Sequence, residues 1–355
     1  MSYVISTNSK GNTYYNRCFH HDEKKAINLI TKCYGLKDKQ VVLTSSGIEA
    51  FSLLLETIMI SNQFKNINLF YSDELYCDSP RLIKYFSQVF GVLNIMTFDV
   101  NQPALLQNKL INNYKNDINI VMMESCSNPN GKIFDFELIK TIKENTSNTK
   151  FIIDNTWTTH VCFNPFDYDV DFVFCSTSKH YSGGNCIGGF IAGDTHFMNN
   201  LANFKVITGK HISLPYTKIL SQNIINMESR FIQAFQNTME LSSFMNSQNC
   251  FIKVNYPCLT NNNSYQLSSK YFKYGPTNLS FVINLSKNKA IKWMKSFKTM
   301  SYKTSFGSSE TKFDCYPVLV DKDQTQIRIA VGYNSNIKNI IQEMTTKISE
   351  LKNYH

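Results

Sequence analysis

The stretch FIIDNTWTTHVCFNPFDYDVDFVFCSTSKHYSGGNCIGGFIAG, residues 151–193, decides how this chain is read. Two apolar runs, Phe151–Ile153 and Phe172–Cys175, have the length and composition of buried parallel strands, and each ends in a polar cluster. The first run delivers Asp154, and the second delivers Ser176, Ser178 and Lys179. In open α/β sheets ligands gather beyond the carboxyl ends of the strands. An acid, two hydroxyls and a lysine arriving there together fit a phosphorylated cofactor with a ring nitrogen, held as a Schiff base. Each residue has a plainer reading by itself: Asp154 as the partner of an arginine or of a helix start, Lys179 as a surface lysine. Together they are more informative. A semi-buried carboxylate needs a cation or strong donors, and a desolvated lysine becomes a nucleophile.

Outward from this stretch the chain alternates. Short apolar runs at Val41–Thr44, Ile67–Tyr71, Asn94–Phe98 and Ile118–Met123 are predicted strands, and Gly47–Met59, Pro80–Phe90, Gln102–Tyr114 and Phe136–Glu144 are predicted helices between them. With Phe151–Asp154, Phe172–Cys175 and Gly188–Ala192 they predict a mostly parallel sheet of roughly seven strands covered on both faces. A helical stretch over Pro215–Met245 leads to a smaller α+β region with strands at Leu279–Asn284, Tyr316–Val320 and Ile327–Val331 and helices near Ala290–Phe297 and Ile337–Leu351. The expected organisation is an N-terminal arm over residues 1–40, a large α/β domain over 41–225 and a C-terminal α+β domain over 226–355.

The strand–helix junction Ser45-Ser46-Gly47-Ile48-Glu49 has capping-box spacing between Ser46 and Glu49. The first-turn amides at Gly47 and Ile48 would point at any nearby phosphate. A helix cap alone accounts for the pattern; the second hydroxyl cluster at Ser176 and Ser178 gives it weight.

The chain has 355 residues, 43% hydrophobic and 18% charged, which is an ordinary globular composition. Its net charge of +9 is scattered rather than gathered into an arm or stripe, which argues against nucleic-acid binding. Ten cysteines show no paired metal spacing, and several sit inside apolar runs, as free thiols in a reducing cytoplasm would. No apolar run reaches membrane-spanning length and Met1–Thr13 lacks an apolar signal core, so a cytoplasmic protein without a membrane segment is expected.

The chain resembles the Cys/Met-metabolism enzymes that use pyridoxal phosphate, the cystathionine γ-synthase/γ-lyase group. The family's Asp-Asn-Thr, Asn-Pro, Ser-X-Thr-Lys and glycine-rich turn are similar to Asp154-Asn155-Thr156, Asn164-Pro165, Ser176-Thr177-Ser178-Lys179 and Gly183, with Ser178 where Thr is usual. The resemblance implies the fold-type-I architecture of pyridoxal-phosphate enzymes. It implies that Lys179 carries the cofactor, Asp154 holds the pyridinium, and Ser176 and Ser178 hold phosphate oxygens. Ser46-Gly47-Ile48 resembles the Ser-Gly-Met phosphate turn, which makes the Gly47 and Ile48 amides donors. Leu75-Tyr76 resembles the Leu-Tyr that supplies the ring-stacking tyrosine and candidate acid. Glu124-Ser125-Cys126-Ser127-Asn128-Pro129 resembles Glu-Ser-Pro-X-Asn-Pro, placing Asn128 near the 3′ oxygen. Tyr15-Asn16-Arg17 resembles the Tyr-Ser-Arg that reaches the phosphate of the neighbouring subunit. Ser305 to Thr311 resembles Ser-Leu-Gly-Gly-X-Glu-Ser, which puts Ser305 and Glu310 at the substrate. Gln326 to Gly332 resembles Leu-Ile-Arg-Leu-Ser-Val-Gly, so that Arg328 clamps the substrate carboxylate.

The departures cluster. Cys77-Asp78-Ser79 replaces Gly-Gly-Thr, Gly183-Gly184-Asn185-Cys186 replaces Gly-Gly-His-Ser, and the Thr-His segment before the last strand is lost within Tyr316–Gln326. They surround the substrate pocket and subunit contacts more than the cofactor. The resemblance implies a lyase or synthase for sulfur-containing or O-activated homoserine- and cysteine-type amino acids, by γ-elimination or γ-replacement. The alternatives are an O-acylhomoserine sulfhydrylase or a cysteine/cystathionine β-lyase, and further off an aminotransferase or an inactive relative. It also implies a homo-oligomer whose paired chains share active sites, assembled as a tetramer.

Overall fold

The computed structural model describes residues 20–36, 39–63 and 65–351. In chain order the first layer contains α1 (His21–Cys33), β1 (Lys39–Thr44), α2 (Gly47–Ser61), β2 (Ile67–Ser72), α3 (Asp78–Phe90), β3 (Leu93–Phe98), α4 (Pro103–Asn113), β4 (Asn119–Glu124), α5 (Leu138–Asn145), β5 (Thr149–Asp154), the single turn α6 (Thr159–Cys162), β6 (Phe172–Ser176), β7 (Gly189–Asp194) and α7 (Thr195–Thr208). The seven strands form one sheet in the order β1-β7-β6-β5-β4-β2-β3. β7 runs antiparallel to both its neighbours, β1 and β6, and the pairs from β6 to β3 are parallel.

Side chains on successive strand residues point to opposite faces, so an apolar run in the middle of such a sheet must fill two cores. On β4, Val121 and Met123 join a core with Phe70, Phe134, Phe136 and Phe190, while Ile120 and Met122 join the other with Phe51, Leu54 and Met198. On β6, Val173 and Cys175 face the first core, and Phe172 and Phe174 the second. The polar residues that end these runs are thereby set in a row at the carboxyl edge. Glu124 pairs in register with Asp154, and Asp154 with Phe174.

α1 falls within the expected N-terminal arm, yet its Ala26 and Ile30 are fully buried in the first core of the same chain. This part of the arm is an element of the large layer, because its apolar stripe is satisfied there.

The second part begins with α8 (Leu214–Asn223) and α9 (Met227–Asn246), separated by the 3-10 turn Ile224–Asn226. One helix over Pro215–Met245 was the expectation. At the interruption the Asn223 carbonyl accepts a hydrogen bond from Arg230 Nη2 at 2.9 Å. β8 (Phe251–Asn255), α10 (Tyr265–Tyr271), β9 (Asn278–Ile283), α11 (Lys287–Lys295), β10 (Ser301–Tyr302), β11 (Lys312–Phe313), β12 (Val318–Asp321), β13 (Gln324–Ala330) and α12 (Ile337–Ser349) follow. Six strands form a second sheet, with β13 paired to β9, β11 and β12.

Ile327 and Ile329 of β13 point into a third core with Phe281, Trp293 and Phe313. The residues that alternate with them, Gln326 and Arg328, point the other way, to Asn130 and Asn128 of the first layer. The period of two on one strand thus turns an arginine toward the carboxyl edge of the first sheet. Among the described residues no helix is long and apolar enough to cross a membrane.

Candidate active site

Between the carboxyl edge of the first sheet and the polar face of β13 lies a cavity of about 570 Å³. Its lining includes Gly47 and Ile48 from the start of α2, Asp154 from the end of β5, Ser176, Ser178 and Lys179 after β6, and Tyr76 and Asn128 from loops. Ser305 and Arg328 close it from the second sheet's side. Residues spread over 282 positions of sequence therefore meet at one site.

The start of α2 is capped by Ser46, whose hydroxyl accepts from Glu49 N at 3.1 Å. The amides of Gly47 and Ile48 have no acceptor inside the helix, as first-turn amides never do. Gly47 approaches β6 so closely that a Cβ there would stand 2.7 Å from Ser176 Cβ and 2.9 Å from its Cα. Helix amides and the Ser176 hydroxyl are thus brought side by side, a cradle suited to an anion. Ser178 contributes less freely, since its hydroxyl donates to Gly188 O at 3.2 Å and accepts from Gly188 N at 3.1 Å.

Asp154 is 8% exposed. Its Oδ1 accepts from Thr156 N at 2.9 Å, and Thr156 Oγ1 in turn accepts from Ser176 N at 2.8 Å. Burial lifts the Asp154 carboxyl to about 6, against the lowering effect of the Thr156 bonds and the Lys179 charge. Lys179 Nζ donates to Ser305 Oγ at 2.9 Å and lies 5.2 Å from the centre of the Phe306 ring. Burial, then the positive charges of Arg328 and Lys312, bring its ammonium down to about 8. Ser305 is held at φ 78°, in the left-handed region that favours glycine. Next to it Gly307, at φ 75°, lies so near His180 N that a Cβ would stand 2.6 Å away. The Ser305–Gly307 turn is pressed against the backbone that carries Lys179.

Arg328 Nη1 donates to Asn128 Oδ1 at 3.0 Å, and Nη2 makes a close ion pair with Asp314. Among the described residues its buried Nε has no acceptor, which leaves a donor beside the cavity. Tyr76 is half-exposed; partial burial and neighbouring Asp78 push its phenol up to about 12.

Glu310 stands apart from the expectation. Its side chain is exposed, 3.8 Å from Lys303, and outside the cavity lining. It belongs to a turn whose Thr311 is buried, and the chain direction sends the preceding residue to solvent. Tyr15 and Arg17 lie outside the described residues.

Four contributors to the site carried no assigned role in the sequence: Thr156, Glu124, Asp314 and Phe306. Glu124 and Thr156 sit inside motifs already quoted, at strand ends where polar residues converge. Asp314 had no comparable signal, because only the fold of the β11–β13 segment brings it to Arg328.

The donor set fits pyridoxal phosphate. Among the described residues the buried Asp154 carboxyl forms no ion pair, Lys179 is brought down to about 8 and forms none either, and Trp157 Nε1 is buried at the cavity without an acceptor. The helix start and Ser176 offer donors for a phosphate.

A family model described as Cys/Met metabolism PLP-dependent enzyme matches residues 3–337. The chain is 26% identical to a cystathionine beta-lyase of Schizosaccharomyces pombe over 227 residues, 63% of this chain and 55% of that protein. It is 23% identical to an L-methionine gamma-lyase of Fusobacterium nucleatum over 325 residues, 87% of this chain and 80% of the relative. Among solved structures, a cystathionine gamma synthase from Xanthomonas oryzae in complex with cystathionine superimposes with a TM-score of 0.86 at 17% identity, covering 100% of this chain and 92% of that one. A structure of a putative O-acetylhomoserine (thiol)-lyase from Campylobacter jejuni, with N′-pyridoxyl-lysine-5′-monophosphate, gives 0.79 at 22% identity over 94% of this chain and 87% of that one. At these identities the structures speak to the fold. The match along nearly the whole chain speaks to ancestry: the protein belongs to the Cys/Met metabolism PLP-dependent enzymes, and its cofactor is pyridoxal 5′-phosphate.

Proposed function

We propose that the protein is a carbon–sulfur lyase or transsulfuration synthase that acts on sulfur-containing or O-activated amino acids of the homoserine and cysteine type. The observation that carries this reading is one cavity presenting a desolvated lysine, a buried carboxylate, an arginine with a free donor and a neutral phenol. Bound pyridoxal phosphate supplies a sink for the electron pair left when the Cα–H bond breaks. Lys179 Nζ, brought down to about 8, carries the cofactor and then takes the Cα proton as a base poised close to neutrality. Asp154 holds the ring nitrogen's proton, and Arg328 receives the substrate carboxylate, for which a forked guanidinium is the right shape. Tyr76, with its phenol pushed up to about 12, keeps a proton to give to a leaving sulfur or oxygen.

The relatives named gamma-lyases support cleavage at Cγ. The Schizosaccharomyces relative, named a beta-lyase and 26% identical, favours Cβ as the second reading. Incubation with methionine, cystathionine, and O-acetylhomoserine plus sulfide, followed by mass spectrometry, separates the outcomes. From cystathionine, γ-cleavage releases cysteine, 2-oxobutanoate and ammonia, whereas β-cleavage releases homocysteine, pyruvate and ammonia. Replacement yields a new amino acid without ammonia. Amino transfer without any carbon–heteroatom cleavage, or products equally abundant with Lys179→Ala, would overturn the proposal.

A further inference from the structure

Glu124 is a buried acid that the chemistry above does not use. It ends β4 in register with Asp154, is 6% exposed, and burial together with the Asp154 charge raises its carboxyl well above the ordinary range. A carboxylate in such a place is costly unless its oxygens are matched by donors. Both are matched, by backbone amides from two different loops. Oε1 accepts from Tyr76 N at 2.5 Å, and Oε2 accepts from Asn128 N at 3.1 Å. Tyr76 lines the cavity with its phenol. Asn128 carries the line onward, since its Oδ1 accepts from Arg328 Nη1 at 3.0 Å. One side chain thus joins the segment bearing the phenol to the residue that orients the guanidinium.

We propose that Glu124 is a positioning residue that ties Tyr76 to Arg328 through its two carboxylate oxygens, so that an amino acid seated on Arg328 fixes the Tyr76 segment as well. The proposal rests on the reading of Arg328 as the carboxylate site. A second strap lies alongside. Glu74 accepts from Ser127 Oγ and from Asn130 Nδ2, each at 2.6 Å, and anchors the same two loops farther from the cavity. Loss of Glu124's double contact therefore leaves the loops attached while the tie at the cavity is cut.

Glutamine at this position offers one acceptor oxygen and an NH2 group to two N–H donors, so one amide must lose its partner. Aspartate keeps the carboxyl group but is one methylene too short to reach both amides. In Glu124→Gln and Glu124→Asp holoenzymes, glycine, which has a carboxylate but nothing to eliminate, should bind about tenfold more weakly by visible absorbance. The visible circular dichroism of the bound cofactor should change with it. Glu137→Gln, in an exposed ion pair with Lys270, should leave both unchanged. In the unmodified holoenzyme, saturation with glycine should slow hydrogen exchange at the Tyr76 and Asn128 amides together. Glycine affinity or circular dichroism unaltered in the Glu124 variants, an equal change in Glu137→Gln, or protection of Asn128 without Tyr76 would each overturn the assignment. The exchange measurement decides the matter if neither Glu124 variant folds. None of these readouts requires turnover. Absence of any lyase or synthase product would count against the proposed function and leave this tie to be judged by binding and exchange alone.

Discussion

Two carboxyls, Asp154 and Glu124, end adjacent strands in register, and burial raises both. The ordinary value of Asp154 is 3.8, and in the fold it lies at about 6. Between those values the folded protein, without its cofactor, keeps a proton that the unfolded chain has released. The stability owed to this group is fully present below pH 3.8 and is lost as the pH rises through about 6. Glu124, also raised, contributes in the same direction from its ordinary value upward. Lys179, lowered from 10.5 to about 8, acts in a separate window, where stability rises as the pH climbs from 8 to 10.5. Asp154→Asn has no proton to release, so denaturant unfolding of the cofactor-free protein should show a shallower loss between about pH 4 and 6 than the wild type. Restored cofactor should stabilise the wild type at neutral pH by more than it stabilises Asp154→Asn, because only the carboxylate meets the ring nitrogen with a full charge. Identical pH slopes for the two cofactor-free proteins would show that Asp154 does not carry this penalty.

The junction of β1 with α2 and its contact with β6 decide whether a phosphate can be held. The helix start reaches Ser176 because residue 47 has no side chain; in Gly47→Ala the new methyl would stand 2.7 Å from Ser176 Cβ and 2.9 Å from backbone. Relief needs α2 or the end of β6 to move, at a cost of about 1–3 kcal/mol. Gly47→Ala should therefore lower the melting temperature of the cofactor-free protein and weaken pyridoxal phosphate binding by roughly tenfold or more in equilibrium dialysis. Unchanged affinity would mean that the phosphate sits elsewhere. This junction was readable in the sequence because an apolar run, a capping serine and a glycine are local signals. So were β2, β4, β5 and β6, whose near-continuous apolar runs fill cores on both faces. Elements that lack a local signal were not read. β10 and β11 have two residues each and exist only by pairing with other strands. β8 breaks its alternation at an irregularity between Phe251 and Lys253. α7 did carry a signal, the Asp194 cap followed by buried Met198, Leu201 and Lys205, although Lys205 conceals the stripe by burying a charge against Glu23 at 2.7 Å. At the site the same division holds. Lys179 and Asp154 end apolar runs and announce themselves, whereas Asp314 reaches Arg328 only through tertiary structure.

Across the molecule the cavity is a seam. Lys179 comes from the first sheet and Ser305 and Arg328 from the second part, and the hydrogen bond from Lys179 to Ser305 crosses between them. The mouth of the seam is apolar and open: Tyr76, Ile187 and Tyr216 line the cavity and are 44%, 55% and 37% exposed. Exposed aromatic and aliphatic groups gathered around a binding site suit a covering surface. The resemblance of Tyr15-Asn16-Arg17 to the family's cross-subunit motif makes a second copy of this chain the expected cover, with Arg17 reaching the neighbour's phosphate cradle. That arrangement has an arithmetic consequence. A chain with Lys179→Ala keeps its arm, and a chain with Arg17→Ala keeps its lysine. Each homo-oligomer should be inactive or nearly so. In a mixed pair, one site combines an intact lysine with an intact arm and the other has neither. Random pairing from equal amounts makes half the dimers mixed and half of their sites complete, so coexpression should restore about a quarter of wild-type activity. Were each arm to serve its own chain, every site in the mixture would lack one of the two groups and no activity would return. Activity measured on coexpressed chains, with native mass spectrometry to verify that mixed pairs form, therefore separates a shared site from a self-contained one.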